Sequence, residues 1–329
     1  MQGPPDAVIR ALEPAAVVPG GRLWIRGDRL PVPSGEGAIH IGGQPARVSF
    51  ASTERIAVVV PPGLPGGRTE VRAGWAPGAT LFARVGTAAA TGLHQVDSPV
   101  VDAAGNIYVT YSGGRGQETP VSVFRVTPGG AREPFVLNLV NATSMAIGPD
   151  GRLHVSSRFD GSVYRVDEEG RPGKIASDLG QATGLAFAPD GGLFVGDRTG
   201  TIFRIDPTGR VEPFTTLPPS VAAFHLAMGP DGALYATAPT LASSDRVYRI
   251  PMSGTAEPID EPFGRPQGLA FDPAGRLHVV EALAGIAGVY RLDPSGPREL
   301  VVSGARLIGV AFDRAGGMVV GTTDTVYRV

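Results

Sequence analysis

The chain has 329 residues, with 29 Lys+Arg against 31 Asp+Glu, a net charge of −2 and no cysteine. The missing cysteine excludes disulfides, thiolate zinc sites and a cysteine nucleophile, and the balanced charge without a basic stripe argues against nucleic-acid binding. Glycine (47) and proline (31) are abundant, yet 42% of the residues are hydrophobic, which fits a packed fold rich in turns rather than disorder.

The opening stretch MQGPPDAVIRALEP lacks the basic-then-apolar pattern of a secretory leader. It points to the cytoplasm if the chain is complete, and to a secreted or periplasmic location if a leader has been removed. No run reaches the ~18 apolar residues of a membrane span, so no membrane insertion is expected. A single lysine, Lys174, stands among the arginines, a bias we read as that of a GC-rich bacterial genome.

Residues 1–78 hold both tryptophans, Trp24 and Trp75. Short alternating runs (GRLWIRG, GAIHIGG, ARVSF, RIAVVVPP, RTEVRAG) separated by Gly/Pro turns predict an antiparallel sandwich of about seven strands. The succession LEPAAVVPGGRLWIRGDRL, IGGQPARVSFASTERIAVVVPPGLPGGRTEVRA resembles the IPT/TIG domain, an immunoglobulin-like module. In bacterial chains that resemblance implies a spacer or docking module.

From about residue 79 the sequence repeats. One phrase occurs six times: DAAGNIYV (102–109), GPDGRLHV (148–155), APDGGLFV (188–195), GPDGALYA (229–236), DPAGRLHV (272–279) and DRAGGMVV (313–320). Its glycines recur every 40 to 46 residues, and each copy is followed by a second phrase of the type VYRV. Every unit reads as an inner apolar strand, a glycine turn, a second strand, a polar loop, the VYRV strand and a weaker outer strand. Four strands at this period predict a propeller blade, and six periods predict six blades. The fold class is thus all-β: an immunoglobulin-like sandwich (1–78) followed by a six-bladed propeller of four-stranded blades (79–329). The chain stops at Val329, at the end of the sixth VYRV strand, and residues 80–86 (TLFARVG) are expected to close that last blade.

The repeats resemble six-bladed NHL-repeat proteins and the neighbouring senescence-marker-protein/gluconolactonase group. That resemblance implies a site at one mouth of the central channel, built just before each innermost strand. Aligned on their glycines, the six units place Asp97, Thr143, Thr183, Phe224, Gln267 and Ile308 there. The gluconolactonase group carries a Glu, an Asn and an Asp at such places to hold a divalent metal. Asp97 stands where that Glu would be, whereas the other ligand places hold Thr, Phe or Ile. Asp97 is accordingly the metal ligand only if a metal, such as calcium, is bound, and no cofactor is otherwise expected.

A second ring follows the second strand of each blade: Tyr111, Ser157, Asp197, Ala238, Glu281 and Thr322, with Arg158 and Arg198 one residue later and Arg115 in the first long loop. Asp97, Thr143, Arg158, Thr183, Asp197, Arg198 and Gln267 are the expected ligand-binding residues, and Asp197, Glu281, Arg158 and Arg198 would form a charge-paired mouth. Glu281, in the apolar setting VVEALAGIAG, is expected to have a raised pKa suited to acid/base work. His225 falls where neighbouring blades carry a channel-strand Gly, and is expected to act as a base with Asp197 or Glu281. His154 and His278 share one strand position in different blades and read as packing residues. The six VYRV arginines also read as structural, because a single site gives no reason for one residue to recur in every blade.

Two functions follow. The first is an NHL-type binding propeller, taking a small polar ligand, glycan or peptide at the mouth overhung by the long loops 113–120 and 237–246. The second is a gluconolactonase-like metal-dependent hydrolase of a lactone or related ester, in which Glu281 or His225 handles protons.

Overall fold

The computed structural model describes residues 7–32, 38–76, 78–79, 81–259, 261–293 and 296–329, and its regular elements there are all strands. One sheet of the N-terminal sandwich runs Val8–Glu13, Arg22–Asp28, Arg55–Val59, Arg47–Ala51. Its partner contains Gly67–Ala73, Leu81–Val85 and Ile39–Ile41. Alternation along these strands sends Leu23, Ile25, Ile56, Val58, Val71 and Val85 into one shared core, as expected when each strand has one dry face.

Beyond it lie six antiparallel four-stranded blades, five of them separate sheets and the fifth blade part of a larger nine-stranded sheet. Their innermost strands are Val100–Val101, Ala142–Ile147, Ala182–Phe187, His225–Met228, Pro266–Phe271 and Leu307–Phe312, and each touches the next, with the last returning to the first. Stability resides between blades: six apolar clusters each join two neighbours, such as Tyr108 and Val123 with Met145 and Val155, and Val247 with Phe263 and Val279. The repeated glycine sits in the turn between first and second strands with φ between 74° and 88°. That left-handed backbone favours a residue without Cβ, which is why the phrase keeps its Gly.

The ring closes with a different segment from the one expected. Residue 80 lies outside the described residues. Leu81–Val85 belongs to the sandwich, pairing with Gly67–Ala73 on one side and Ala16–Val17 on the other. The next strand, Thr87–Thr91, pairs with Thr325–Arg328 and completes blade six. Burial explains the assignment, because Ala83 and Val85 face the sandwich core while Ala90 packs with Val326, Val109 and Ile107 between blades six and one. The chain crosses over at Gly86, where a Cβ would lie 2.8 Å from a Val18 methyl and 3.3 Å from the Tyr327 Cβ.

The sandwich is also joined to the propeller by strand pairing. Ala16–Val17 runs parallel to both Leu81–Val85 and the outer strand of blade five, Glu299–Ser303. One nine-stranded sheet thereby passes through both domains. Val18 N donates to Ser303 O (2.9 Å), Arg22 N to Ser303 Oγ (2.8 Å) and Arg22 Nη1 to Gly285 O (3.0 Å). Contact is close enough that a Cβ on Gly21 would lie 2.4 Å from Ser303 O.

Candidate functional site

The innermost strand of every blade is hydrogen-bonded on one side only, so its other edge, with its N–H and C=O groups, borders the central channel. At the position two before the channel-strand Ala, or its counterpart, the blades carry Ser98, Ser144, Gly184, His225, Gly268 and Gly309. Small residues there let the strands crowd together: a Cβ on Gly309 would come within 2.3 Å of Ser98 Cα, and one on Gly184 within 2.6 Å of Phe224 O. Blade four alone places a large side chain at this level.

That side chain meets Asp97. His225 Nδ1 pairs with Asp97 Oδ1, which also accepts from Ser98 N (2.6 Å). Asp97 belongs to blade one and His225 to blade four, which face each other in a ring of six, so the pair bridges the channel. Both are buried, at 5% and 1% exposure. His225 Nε2 is buried too, with no hydrogen-bond partner. When Nδ1 carries the proton shared with Asp97, the neutral ring keeps its lone pair at Nε2.

On one side of the bridge the channel widens into a cavity of about 310 Å³, with Asp97 and His225 in its lining. Val101, Ile147, Phe187, Met228, Phe271 and Phe312, at the half-buried outer ends of the innermost strands, line its mouth. This mouth is on the glycine-turn face, opposite the long loops. A volume at the lower end of the ~300–1,000 Å³ typical of small-molecule sites, apolar side chains, strand edges and one imidazole suit a small ligand with both apolar and hydrogen-bonding faces.

Thr143, Thr183, Gln267 and Asp197 are hydrogen-bonded within the scaffold. Thr143 Oγ1 donates to Asn141 O (2.8 Å). Thr183 Oγ1 donates to Gly196 O (2.9 Å) and accepts from Phe224 N (3.1 Å), tying blade three to blade four. Gln267 is buried, and its carbonyl accepts from Thr237 Oγ1. Phe224 is fully buried in the core between blades three and four rather than in the channel. Asp197 accepts from Gln181 N (2.8 Å) and from the Thr199 hydroxyl, so it neither meets His225 nor pairs with an arginine.

Glu281 corrects the acid/base expectation most clearly. Its Oε2 accepts from Gly264 N (2.6 Å), and Oε1 from Arg265 N (2.8 Å) and Leu283 N (2.7 Å). Three main-chain donors consume the carboxylate as a loop clamp, and it takes no part in lining the channel cavity. The equivalent Ser157 does the same in blade two, donating to Val140 O (2.8 Å). This ring position fastens the loop after the second strand to the segment entering the first.

The arginines of the two groups diverge. Five of the VYRV arginines pair with carboxylates of their own blade, as in Arg165–Asp150, Arg249–Asp231 (2.7 Å) and Arg125–Glu133 (2.8 Å). Arg328 instead donates to Gly105 O of blade one (3.3 Å). At the loop-rich mouth, Arg198 donates to Ser220 O (3.1 Å) and Val221 O (2.7 Å). Arg158 is half-buried, and burial together with repulsion from Arg198 and Arg115 draws it below the ordinary arginine range. His154 and His278 pack on Phe187 and Phe312 of the next blade, both at 4.8 Å between ring centroids, as Tyr235 does on Phe271 at 4.9 Å.

Calcium binds through 6–8 oxygens. Among the described residues no group of three His, Asp or Glu is placed to hold a metal, and Asp97 Oδ1 is committed to His225 and Ser98 N. The residues at the channel do not fit a resident divalent ion.

Comparison with known proteins agrees with this architecture. Residues 7–74 match the IPT/TIG domain. The N-terminal sandwich is thus similar to the IPT/TIG domain. A search of curated proteins found no match. Among solved structures, an auxiliary nutrient binding protein from Bacteroides ovatus is similar over 100% of this chain and 99% of its own, at 13% identity and TM-score 0.58. A putative gluconolactonase is similar over 74% of this chain and 90% of its own, at 19% identity and TM-score 0.60. A streptogramin B lyase is similar over 74% and 95%, at 11% identity and TM-score 0.56. At these identities the likeness is one of fold: a propeller, in the first case together with the region that carries the IPT/TIG domain.

His225 pairs with Asp97 rather than with Asp197 or Glu281, and the sequence carries a signal for that pairing. Both residues stand at the start of an innermost strand, three repeats apart. In a ring of six, three repeats is the diameter.

Proposed function

We propose that this chain is a small-ligand-binding propeller of the NHL type, and that its ligand lies in the channel cavity above the Asp97–His225 bridge. The observation that carries this reading is the buried, unpartnered Nε2 of His225 on a residue that lines a cavity of ligand size. Leaving a buried polar atom unmade costs about 1–3 kcal/mol, a cost that native proteins keep where a water or ligand completes the bond. The cavity's mixed lining favours a compact neutral molecule with hydroxyl or carbonyl groups, such as a monosaccharide or sugar lactone. A neighbour in fold described as a nutrient-binding protein agrees with that class.

The test is calorimetric titration of the full chain with a panel of neutral monosaccharides and lactones, repeated on His225→Ala and on Ala270→Leu, which fills the cavity wall. Binding that both substitutions abolish supports the reading. Binding untouched by either, or binding to no member of the panel, counts against it.

One observation favours a second reading, catalysis. An imidazole oriented by a carboxylate is the arrangement of a general base, and a lactone in the cavity would lie beside it. Lactone turnover that persists in chelator and vanishes in His225→Gln would establish this reading over simple binding.

A further inference from the structure

The opposite mouth carries a different chemistry. Arg158 and Arg198 occupy equivalent positions after the second strands of adjacent blades, and their backbone N–H groups bond in the same way to Asn141 O (3.4 Å) and Gln181 O (3.2 Å). The loop bearing Arg115 is fastened beside them. Gly116 N donates to Asn141 Oδ1 (2.7 Å), and Asn141 Nδ2 donates to Ser112 O (2.6 Å) and Gly114 O (2.8 Å). A Cβ on Gly116 would lie 3.0 Å from the Phe159 ring, so the Arg115 loop rests on the residue next to Arg158.

Three guanidinium groups are thus gathered at one mouth. The two carboxylates at the same ring position form no ion pair with them: Asp197 accepts from Gln181 N and the Thr199 hydroxyl, and Glu281 from three main-chain donors. Among the described residues, the side chains of Arg158 and Arg115 make no ion pair or hydrogen bond, and Glu118 on the Arg115 loop pairs with neither. Elsewhere on the propeller most arginines find a carboxylate within their own blade. A half-buried arginine facing two like charges without a counter-ion is an arrangement that an anion stabilises. Around the cluster, exposed apolar side chains concentrate on the same face: Phe159 (56% exposed), Leu241 (92%), Leu283 and Ile286.

We propose that the loop-rich mouth is an anion site, in which Arg158, Arg198 and Arg115 receive an oxyanion carried on a small organic ligand whose apolar part rests on Phe159. The guanidinium forks match both carboxylate and phosphate oxygens. The site lies across the Asp97–His225 bridge from the channel cavity, so either can fail without the other.

The experiment is thermal unfolding and calorimetry of the full chain with succinate and with inorganic phosphate, at ionic strength held constant with chloride. We expect saturable stabilisation by at least one of the two, succinate alone indicating an organic acid and phosphate alone a phosphorylated ligand. Arg158→Gln should weaken that binding about tenfold or more, the equivalent of one charge-assisted hydrogen bond. Arg115→Gln, on an exposed loop, should weaken it without altering the fold, and Arg210→Gln in the turn before the outer strand of blade three should leave it unchanged. Stabilisation by neither anion, or equal stabilisation in Arg158→Gln and Arg115→Gln, would overturn the proposal.

Discussion

Replacing Asp97 with alanine tests whether the bridge across the channel holds the ring together. The substitution removes the partner of His225 Nδ1, leaving both nitrogens of a 1%-exposed imidazole unpaired. A hydrogen bond to a charged group is worth about 1.5–3 kcal/mol, and an orphaned buried polar atom costs about 1–3 kcal/mol, so we expect a loss near 3 kcal/mol. In a protein of this size each kcal/mol moves Tm by about 2–4 °C, which places the fall at about 6–12 °C. His225→Ala should cost a similar amount, because it strands a carboxylate with one remaining main-chain donor. The double substitution removes both orphans and should cost about 2 kcal/mol less than the two single losses together, within the range of directly contacting pairs. Urea unfolding is the assay, with two probes that separate the domains. Both tryptophans lie in the sandwich, so fluorescence follows that domain, while far-UV circular dichroism is dominated by the larger propeller. Strictly additive losses would refute the bridge, whatever their size.

The ring closure predicts that Ala90→Pro, which removes a ladder position opposite Val326, lowers the circular-dichroism transition. Arg84→Pro, between two strands of the sandwich sheet, should chiefly lower the tryptophan transition, and the opposite assignment would show the strands exchanged. Burial holds His154 and His278 below the usual histidine value, so the unfolded chain takes up protons more readily than the folded one. Stability should therefore fall as pH drops through about 6.5 towards the depressed folded values. His154→Phe with His278→Phe should flatten that loss in urea midpoints compared at about pH 7.5 and 5. Glu281→Gln places an amide NH₂ among main-chain donors and should destabilise the propeller by about 2–3 kcal/mol, read as a lower urea midpoint. Unchanged stability would show that the clamp is dispensable.

Much of this architecture was legible in the sequence, because a blade is a local pattern. The glycine with positive φ, the alternation before it and the VYRV strand after it all fall within about forty residues. The closing strand escaped for a physical reason. Thr87–Thr91 reads TAAAT, three alanines without alternation, whereas Leu81–Val85 carries the stronger strand signal. Burial of Ala90 against residues more than two hundred positions away is what makes the weaker segment the strand. The site was half legible. Lining up the repeats exposed His225 as the one large residue at a Gly/Ser position, but partners within a ring are set by opposition across the axis, not by proximity in sequence. Glu281 misled because an apolar neighbourhood in sequence conceals main-chain N–H groups, and those decide what a buried carboxylate does.

The two-residue run Ala16–Val17 has a consequence for how such a protein can change by recombination. Domains joined by a tether can be exchanged, each carrying its own folding information to a new neighbour. Here a foreign propeller would have to offer an outer strand in register with Ala16 and Val17, and a glycine-width gap for Gly21 beside it. A foreign sandwich would have to bring a parallel spur of its own. The two halves are therefore expected to descend together, substitutions at Val302–Ser303 being answered by substitutions at 16–21, as if the border between them were the interior of a single domain.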